Sequence, residues 1–136
     1  MEPKTIYLTQ IKMKTDDQRA LDEKVLDALW DHRGKKNRIS RVELVMKIFG
    51  VKVNKGQLAN NKLDRQIRES IERLRQEYVI LSSSGMDGYW FPETMGEVAG
   101  YLAEIESRAS KLLQQKARMQ RNAEQQFQPR VQETLF

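Results

Sequence analysis

Positively charged side chains are concentrated in one part of this 136-residue chain. Between Asp31 and Arg75 there are thirteen lysines and arginines against five aspartates and glutamates, a net charge of +8, whereas the other residues sum to −3. Lysine and arginine bind phosphate groups, and each one placed on a nucleic-acid phosphate releases condensed counterions. The uneven charge therefore favours binding to a nucleic-acid backbone, although a solvated basic surface has the same composition.

The chain lacks the residue patterns of common catalytic sites. It has no cysteine and one histidine, His32, so thiolate chemistry is excluded and a catalytic zinc site is disfavoured, while a carboxylate-only magnesium site stays open. Neither a glycine-rich phosphate loop nor a Gly-x-Ser-x-Gly sequence is present. The acids Asp16 with Asp17 and Glu104 with Glu106 fit helix surfaces. We therefore predict a protein that is not an enzyme and has no cofactor or bound metal.

Composition also bears on the compartment. No apolar run approaches the roughly 20 residues that cross a bilayer, and the opening MEPKTIYLTQ lacks the apolar segment of a signal peptide. The absence of cysteine fits a reducing environment. We expect a cytoplasmic protein that makes no membrane contact.

Two short amphipathic helices are predicted between residues 15 and 50. The first begins at Thr15, a capping residue before two aspartates, and ends at Gly34 in a left-handed turn. The second begins at Ser40, which forms a reciprocal capping box with Glu43, and closes at Gly50. Apolar residues at three- and four-residue spacing mark the buried faces: Leu21, Val25, Ala28 and Leu29, then Leu44, Val45, Ile48 and Phe49.

A loop, VKVNKGQLANN, separates these helices from a third in NKLDRQIRESIERLRQEY, which either Asn61 or Asp64 caps. Its apolar face carries Leu63, Ile67, Ile71, Leu74 and Tyr78. Its polar face carries Lys62, Arg65, Glu69 and Glu72, with Arg68 at the flank. Two pairs are spaced for i,i+4 ion pairs, Arg65 with Glu69 and Arg68 with Glu72. A solvated, salt-bridged face is therefore the alternative to a binding face.

The hydrophobic period changes after this helix and predicts a β-hairpin. Val79 to Leu81 forms a short strand, a Ser/Gly run forms the turn, and the returning strand Tyr89 to Phe91 stops at Pro92. Exposed aromatic residues stack on nucleic-acid bases, but alternating aromatic residues in a strand more often fill the core between hairpin and helix. We predict that these three are core residues.

The stretch IRESIERLRQEYVILSSSGMDGYWFP resembles the recognition helix and wing of winged helix-turn-helix domains of the biotin-repressor type. Gly88, Tyr89 and Trp90 match the end of that pattern, and the resemblance covers residues 15–92. The loop between the second and third helices is longer than the tight turn of such domains. The resemblance implies a winged helix-turn-helix. Together with the long C-terminal helix predicted below, this gives an α+β, mainly α fold.

In that family the third helix enters the DNA major groove and the wing lies along the backbone or minor groove. Carried over to this sequence, the resemblance implies a duplex-DNA-binding surface with three parts. The groove-facing residues are Arg65, Gln66, Arg68 and Glu69; the phosphate contacts are Lys52, Lys55 and Lys62; the wing tip is Ser82, Ser83, Ser84 and Met86. Winged helices also serve as protein-interaction modules, so the fold alone does not decide the partner.

A long helix is predicted over residues 93–127, where the chain is polar and proline-free. Leu102, Ile105, Leu112 and Met119 belong to a series with alternating four- and three-residue steps, which is a heptad seam. The seam favours a coiled-coil homodimer, weakened by Ala109 and Lys116, and a solitary helix is the alternative. Residues 1–14 form an N-terminal arm, either a strand or an ordered segment.

Residues 128–136 form a flexible tail after the long helix, because Pro129 interrupts the helical pattern. The last five residues, QETLF, resemble the bacterial sliding-clamp binding peptide Gln-x-x-Leu-Phe. The resemblance implies that Gln132 makes a polar contact and that Leu135 and Phe136 fill apolar subsites on the clamp. A match at the chain terminus after a polar linker is an uncommon placement by chance, and a tail that folds back or stays unbound is the alternative.

Two binding functions follow from these features. The first is a DNA-binding accessory protein of replication or repair, with phage-encoded proteins among the candidates, that contacts the bacterial DNA polymerase sliding clamp through its tail. The second is a dimeric winged-helix transcriptional repressor. A repressor dimer selects a palindromic site from random DNA, whereas the accessory protein binds duplex DNA with weak specificity and a steep salt dependence.

Overall fold

The computed structural model describes residues 15–83 and 88–128, in two compact units divided between Glu97 and Val98. Within these residues four helices and one hairpin follow in chain order: α1 (Asp16–Leu29), α2 (Arg41–Phe49), α3 (Lys62–Leu74), β1 (Leu81–Ser82), β2 (Tyr89–Trp90) and α4 (Met95–Phe127). Two 3-10 turns, Lys35–Asn37 and Lys55–Gln57, lie in the loops. The predicted α+β, mainly α class is therefore confirmed.

Helix α1 begins as predicted and ends earlier than predicted. The Thr15 hydroxyl accepts from the backbone N–H of Gln18, whose side chain accepts from the Thr15 N–H in return. The last helical residue is Leu29, so the prediction that Gly34 ends this helix is wrong. Gly34 has a φ of +82° and donates its N–H to Phe91 O at 2.8 Å. Its conformational freedom serves that approach to the hairpin, not the helix end.

Helix α2 keeps one half of its predicted capping box. The Ser40 hydroxyl accepts from the Glu43 N–H at 3.1 Å, but the Glu43 carboxylate accepts from that same hydroxyl and not from the Ser40 backbone. The prediction of a reciprocal capping box is therefore wrong, because the Glu43 carboxylate accepts its hydrogen bond from the Ser40 hydroxyl instead of the Ser40 backbone N–H. The helix closes as predicted at Gly50, which has a left-handed φ of +69° and donates to Met46 O.

The loop between α2 and α3 is long, as predicted, and it packs on the core. Val53 and Leu58 are buried, and Asn54 and Gln57 cap each other across a 3-10 turn. Of the two candidate caps of α3, Asn61 is the one used: its side chain accepts from the backbone N–H at position 64. These contacts fix where α3 begins relative to α2.

The core lies where α1, α2 and α3 meet, and the hairpin covers one side of it. Its main members are Val25, Leu29, Leu44, Val45, Ile67, Ile71, Tyr89 and Phe91, all buried, as the helical stripes predict. Trp90 is also buried, and its indole N–H donates to Glu97 Oε1 at 2.5 Å. The prediction that the hairpin aromatics are core residues is confirmed.

The hairpin is antiparallel, with Leu81 opposite Trp90 and Ser82 opposite Tyr89. Its first strand begins at Leu81, two residues later than predicted, and Ile80 is buried just ahead of the paired segment. A third extended segment, which the sequence did not predict, pairs with the outer edge of β2 through an antiparallel bridge between Ile39 and Tyr89. The segment joining α1 to α2 is therefore attached to the two-stranded sheet by an isolated bridge.

Candidate nucleic-acid interface

Helix α3 has a buried stripe and a polar face, as predicted. Ile67, Ser70, Ile71 and Leu74 are buried, and the exposed side chains are those of Lys62, Arg65, Arg68, Glu69 and Glu72. At 100° per residue, Arg65 projects from the side opposite the buried stripe. No carboxylate of the described residues lies within 4 Å of the Arg65 guanidinium. Arg65 is therefore the exposed cation at the centre of this face.

The two ion pairs predicted from i,i+4 spacing are wrong. Arg65 and Glu69 form no pair, and Arg68 turns toward the N-terminus of α3 to pair with Asp64, its Nε lying 3.0 Å from Oδ2. Glu72 pairs with Arg75 instead, at 3.0 Å. The reason is burial: Asp64 is buried and needs a cationic partner, whereas the exposed glutamates are solvated.

Asp64 sits at the junction of α2 and α3, where two arginines share it. Arg41, at the start of α2, donates from Nε to Oδ1 at 2.9 Å and from Nη2 to Oδ2 at 2.5 Å. These hydrogen bonds raise the pKa of the Arg41 guanidinium above its ordinary value. Burial raises the pKa of the nearby Tyr89 phenol, and the positive charge of Arg41 opposes that shift. Sequence reasoning missed Arg41, because its partner lies 23 residues away.

Two further arginines brace the fold. Arg73 donates to Asp22 on α1 at 2.8 Å, and Asp22 also accepts from the Ser70 hydroxyl at 2.5 Å. Arg75 donates to the Ser82 hydroxyl at 3.1 Å and so ties the end of α3 to β1. These basic residues neutralise or satisfy groups of the protein, so they add little to an external binding surface.

Another part of the basic excess lies beside the sheet. The turn between α1 and α2 carries four exposed cations: Arg33, Lys35, Lys36 and Arg38. The Arg33 guanidinium lies 4.8 Å from the ring centroids of both Trp30 and Phe91, a cation–π arrangement. The segment borders the edge of β2 that β1 does not occupy, through the bridge between Ile39 and Tyr89. The residues that give the net charge of +8 therefore do not form one patch on α3. The sequence did not predict that they are divided between α3 and this turn.

The other predicted contact residues lie around α3 at different places. Gln66 is half-buried and, with Glu69, lines a pocket of about 520 Å³ against α1. Lys55 is exposed in the α2–α3 loop, and Lys52 lines a second pocket beside α2. Ser83 is half-buried, and its Oγ has no hydrogen-bond partner in the described part of the chain. The predicted wing-tip residues Ser84 and Met86 lie outside the described residues.

Helix α4 presents the predicted seam as an open surface. Leu102, Ile105, Leu112 and Met119 are all exposed, as is every residue from 102 to 128. The predicted tail contacts Gln132, Leu135 and Phe136 lie outside the described residues, as does the N-terminal arm 1–14. The seam therefore has the exposure that pairing with a second helix requires.

No protein-family model, curated protein or solved structure matches this chain. In the part of the chain that the structure describes, no helix has the combination of length and apolarity needed to cross a bilayer. Within those same residues no group of three or more acidic or histidine side chains is placed to hold a metal ion.

Proposed function

We propose that this protein binds duplex DNA through a winged helix-turn-helix formed by residues 15–92 and docks on the bacterial sliding clamp through QETLF. The observation that carries the DNA-binding proposal is the position of Arg65 on α3, opposite the buried stripe. Its side chain is exposed and forms no ion pair with a carboxylate of the described residues. The element order supports the fold: three helices lead into a hairpin, and the Ile39 segment is bridged to β2 of that hairpin.

The proposed contact places α3 in the major groove. Its 13 residues span about 20 Å, and the groove admits a helix of this diameter. Arg65 then reaches base edges, where arginine binds guanine O6 and N7 in a bidentate manner. Lys62, the first residue of α3, and Lys55, in the loop before it, contact phosphates, and the hairpin, tied to α3 by Arg75, lies against the backbone.

The exposed face of α3 carries both signs of charge. Lys62, Arg65 and Arg68 are cationic, and Glu69 and Glu72 are anionic, so the face as a whole is only weakly positive. Glutamate in the groove is repelled by phosphate and accepts hydrogen bonds from cytosine N4. This mixture supports a contact with some sequence preference, with part of the affinity supplied elsewhere.

The clamp contact rests on the sequence of the tail. By its resemblance to Gln-x-x-Leu-Phe, Gln132 makes the polar contact and Leu135 and Phe136 enter apolar subsites. Such a peptide contact is weak by itself, and simultaneous binding to DNA raises its effective concentration. A DNA-binding domain joined to a clamp-binding tail is the composition of an accessory protein of replication or repair.

A dimeric repressor is the second candidate, and the open seam of α4 favours it. Two copies joined through Leu102, Ile105, Leu112 and Met119 present two α3 helices to DNA, as a palindromic site requires. Selection of binding sites from random duplex DNA distinguishes the two functions, because only the repressor returns a palindrome with fixed half-site spacing.

We expect replacement of Arg65 by alanine to weaken duplex binding about tenfold, because one good bidentate base contact is worth about 1 to 3 kcal/mol. The fold should remain intact, since Arg65 is exposed and forms no ion pair with the residues that the structure describes. Fluorescence anisotropy at fixed salt measures the loss. Arg108→Ala on α4 makes the same charge change at another exposed site, and equal losses in the two variants would contradict a specific role of α3.

We expect the intact chain to dimerise through α4 and Leu112→Glu to make it monomeric, because an unpaired charge enters an apolar seam. Leu113→Glu is the matched control: both leucines are 65% exposed, but only Leu112 lies on the seam. Sedimentation equilibrium at about 10 µM, a concentration suited to a weak pair, measures the mass. A monomeric wild type, or equal dissociation by both variants, would contradict the dimer.

A further inference from the structure

The junction of α2 and α3 holds more positive charge than its buried carboxylate requires. Asp64 is 1% exposed, and Arg41 alone satisfies both of its oxygens with two hydrogen bonds. A bidentate arginine–carboxylate pair is already a complete, neutral unit. Arg68 is a second guanidinium on the same carboxylate, so the cluster carries a net charge of +1.

The two arginines keep donors that the carboxylate does not use. Arg68 bonds to Asp64 through Nε only, so the fork formed by Nη1 and Nη2 makes no hydrogen bond to the described residues. Its side chain is 46% exposed. Arg41 uses Nε and Nη2 and is 16% exposed, which leaves Nη1 for another acceptor. The planar fork of Arg68 matches the geometry of a phosphate oxygen pair, and Arg41 adds a single donor.

We propose that Arg68 and Arg41 form a binding site for one backbone phosphate of duplex DNA, with Asp64 as the residue that positions both guanidinium groups. The proposal rests on the DNA binding proposed above and assigns Arg68 to the backbone, whereas the sequence assigned it to the groove. A carboxylate that holds the guanidinium before binding reduces the rotamer entropy lost when the phosphate arrives.

The geometry of α3 separates Arg68 from Arg65. Asp64 lies one turn before Arg68 on the flank facing α2, so a guanidinium bonded to it lies along that flank. Arg65 has no such tether and projects from the opposite side to the core. Backbone contacts at the flanks of a recognition helix fix its register, and contacts from its centre read bases.

Phosphate-by-phosphate neutralisation tests the assignment in the full chain. Each phosphate of a bound duplex is replaced in turn by an uncharged methylphosphonate, and the affinity of wild type is compared with that of Arg68→Gln. At one phosphate we expect neutralisation to lower the DNA affinity of wild type about tenfold, as loss of a charged hydrogen-bond pair does. The same neutralisation should lower the affinity of Arg68→Gln less than about twofold. Arg65→Gln is the control and retains the wild-type response at that phosphate.

Base substitutions complete the test. The affinity of the Arg68→Gln variant should fall by the same factor on every duplex sequence. A loss of affinity confined to one base pair would overturn the proposal in favour of base reading by Arg68. The proposal would also be overturned if wild type binds DNA but no phosphate neutralisation affects wild type more than Arg68→Gln. Failure of wild type to bind any duplex would refute the proposed DNA binding itself, so the two failures are distinguishable.

The positioning role of Asp64 has its own readout. Asp64→Asn removes one negative charge, which by electrostatics alone tightens DNA binding at low salt. We expect instead that it weakens the coupling between Arg68 and its phosphate, because the amide no longer holds two guanidinium groups. Thermal melting checks the fold, and if this variant unfolds, Arg68→Lys, which keeps the charge and loses the fork, should show the same loss of coupling. Full coupling in folded Asp64→Asn would overturn the positioning role, and full coupling in Arg68→Lys would overturn the role of the guanidinium fork.

Discussion

Replacement of Gly88 by alanine is expected to lower the free energy of unfolding by about 3 kcal/mol or more, through backbone strain and lost hydrogen bonds. Gly88 has a φ of +105°, and a Cβ there would lie 1.9 Å from the carbonyl oxygen of Ile39 and 2.8 Å from the Cα of Ser40. Both neighbours are backbone, so no side-chain rotation relieves the contact. The Ile39 segment must move away from the hairpin.

That movement breaks the bridge that attaches the third segment to the sheet. Ile39 and Tyr89 exchange two backbone hydrogen bonds, each of 2.9 Å, directly beside Gly88. Gly50→Ala is the matched control, because Gly50 also has a positive φ, +69°, but nothing lies within 4 Å of its Cβ position. Its cost is the left-handed conformation alone, about 1 to 2 kcal/mol. Urea unfolding of the two variants measures the difference, and equal losses would contradict the close approach at Gly88.

The paired substitution Leu135→Ala and Phe136→Ala is expected to abolish binding to a bacterial sliding clamp. Burial of two large apolar side chains contributes about 3 to 6 kcal/mol before ordering costs. Their loss therefore weakens a micromolar contact by roughly hundredfold or more, beyond detection. Isothermal calorimetry of the full chain against purified clamp measures the effect.

A single substitution in the same tail serves as the control for this experiment. Thr134 occupies a free position of Gln-x-x-Leu-Phe, so Thr134→Ala should bind like wild type, whereas Gln132→Ala should bind more weakly through loss of its polar contact. Equal binding by wild type and the Leu135/Phe136 variant, or no binding to clamps from several bacteria, would refute the clamp assignment. The repressor then becomes the leading proposal.

Local signals predicted most of the helical fold. Thr15, Ser40 and Gly50 mark helix ends where the structure has them, because a cap depends on residues within one turn. The apolar stripe of α3 is equally local, since the 3.6-residue period alone places Ile67 and Ile71 on one face. Arg65 could be predicted as an exposed cation for the same reason.

The errors have a common origin in contacts between distant parts of the chain. Gly34 resembles a helix end in sequence, yet its backbone is held by Phe91. Arg68 is spaced for a pair with Glu72, yet it pairs with Asp64 because burial makes that carboxylate the stronger acceptor. The bridge at Ile39 leaves no periodic signal, since one paired residue is too short for a pattern.

The sequence by itself determined which segments are helical, which face of α3 meets the core, and where basic residues occur along the chain. These properties depend on neighbours within about four residues, where backbone geometry fixes the spacing. Tertiary structure alone decided which basic residues remain available to a ligand. Arg73 is held by Asp22, 51 residues away in sequence, and Arg41 by Asp64, and only packing of α1 and α2 against α3 brings those charges together. Removal of a carboxylate from water demands a nearby cation, and no spacing rule says which cation the fold supplies.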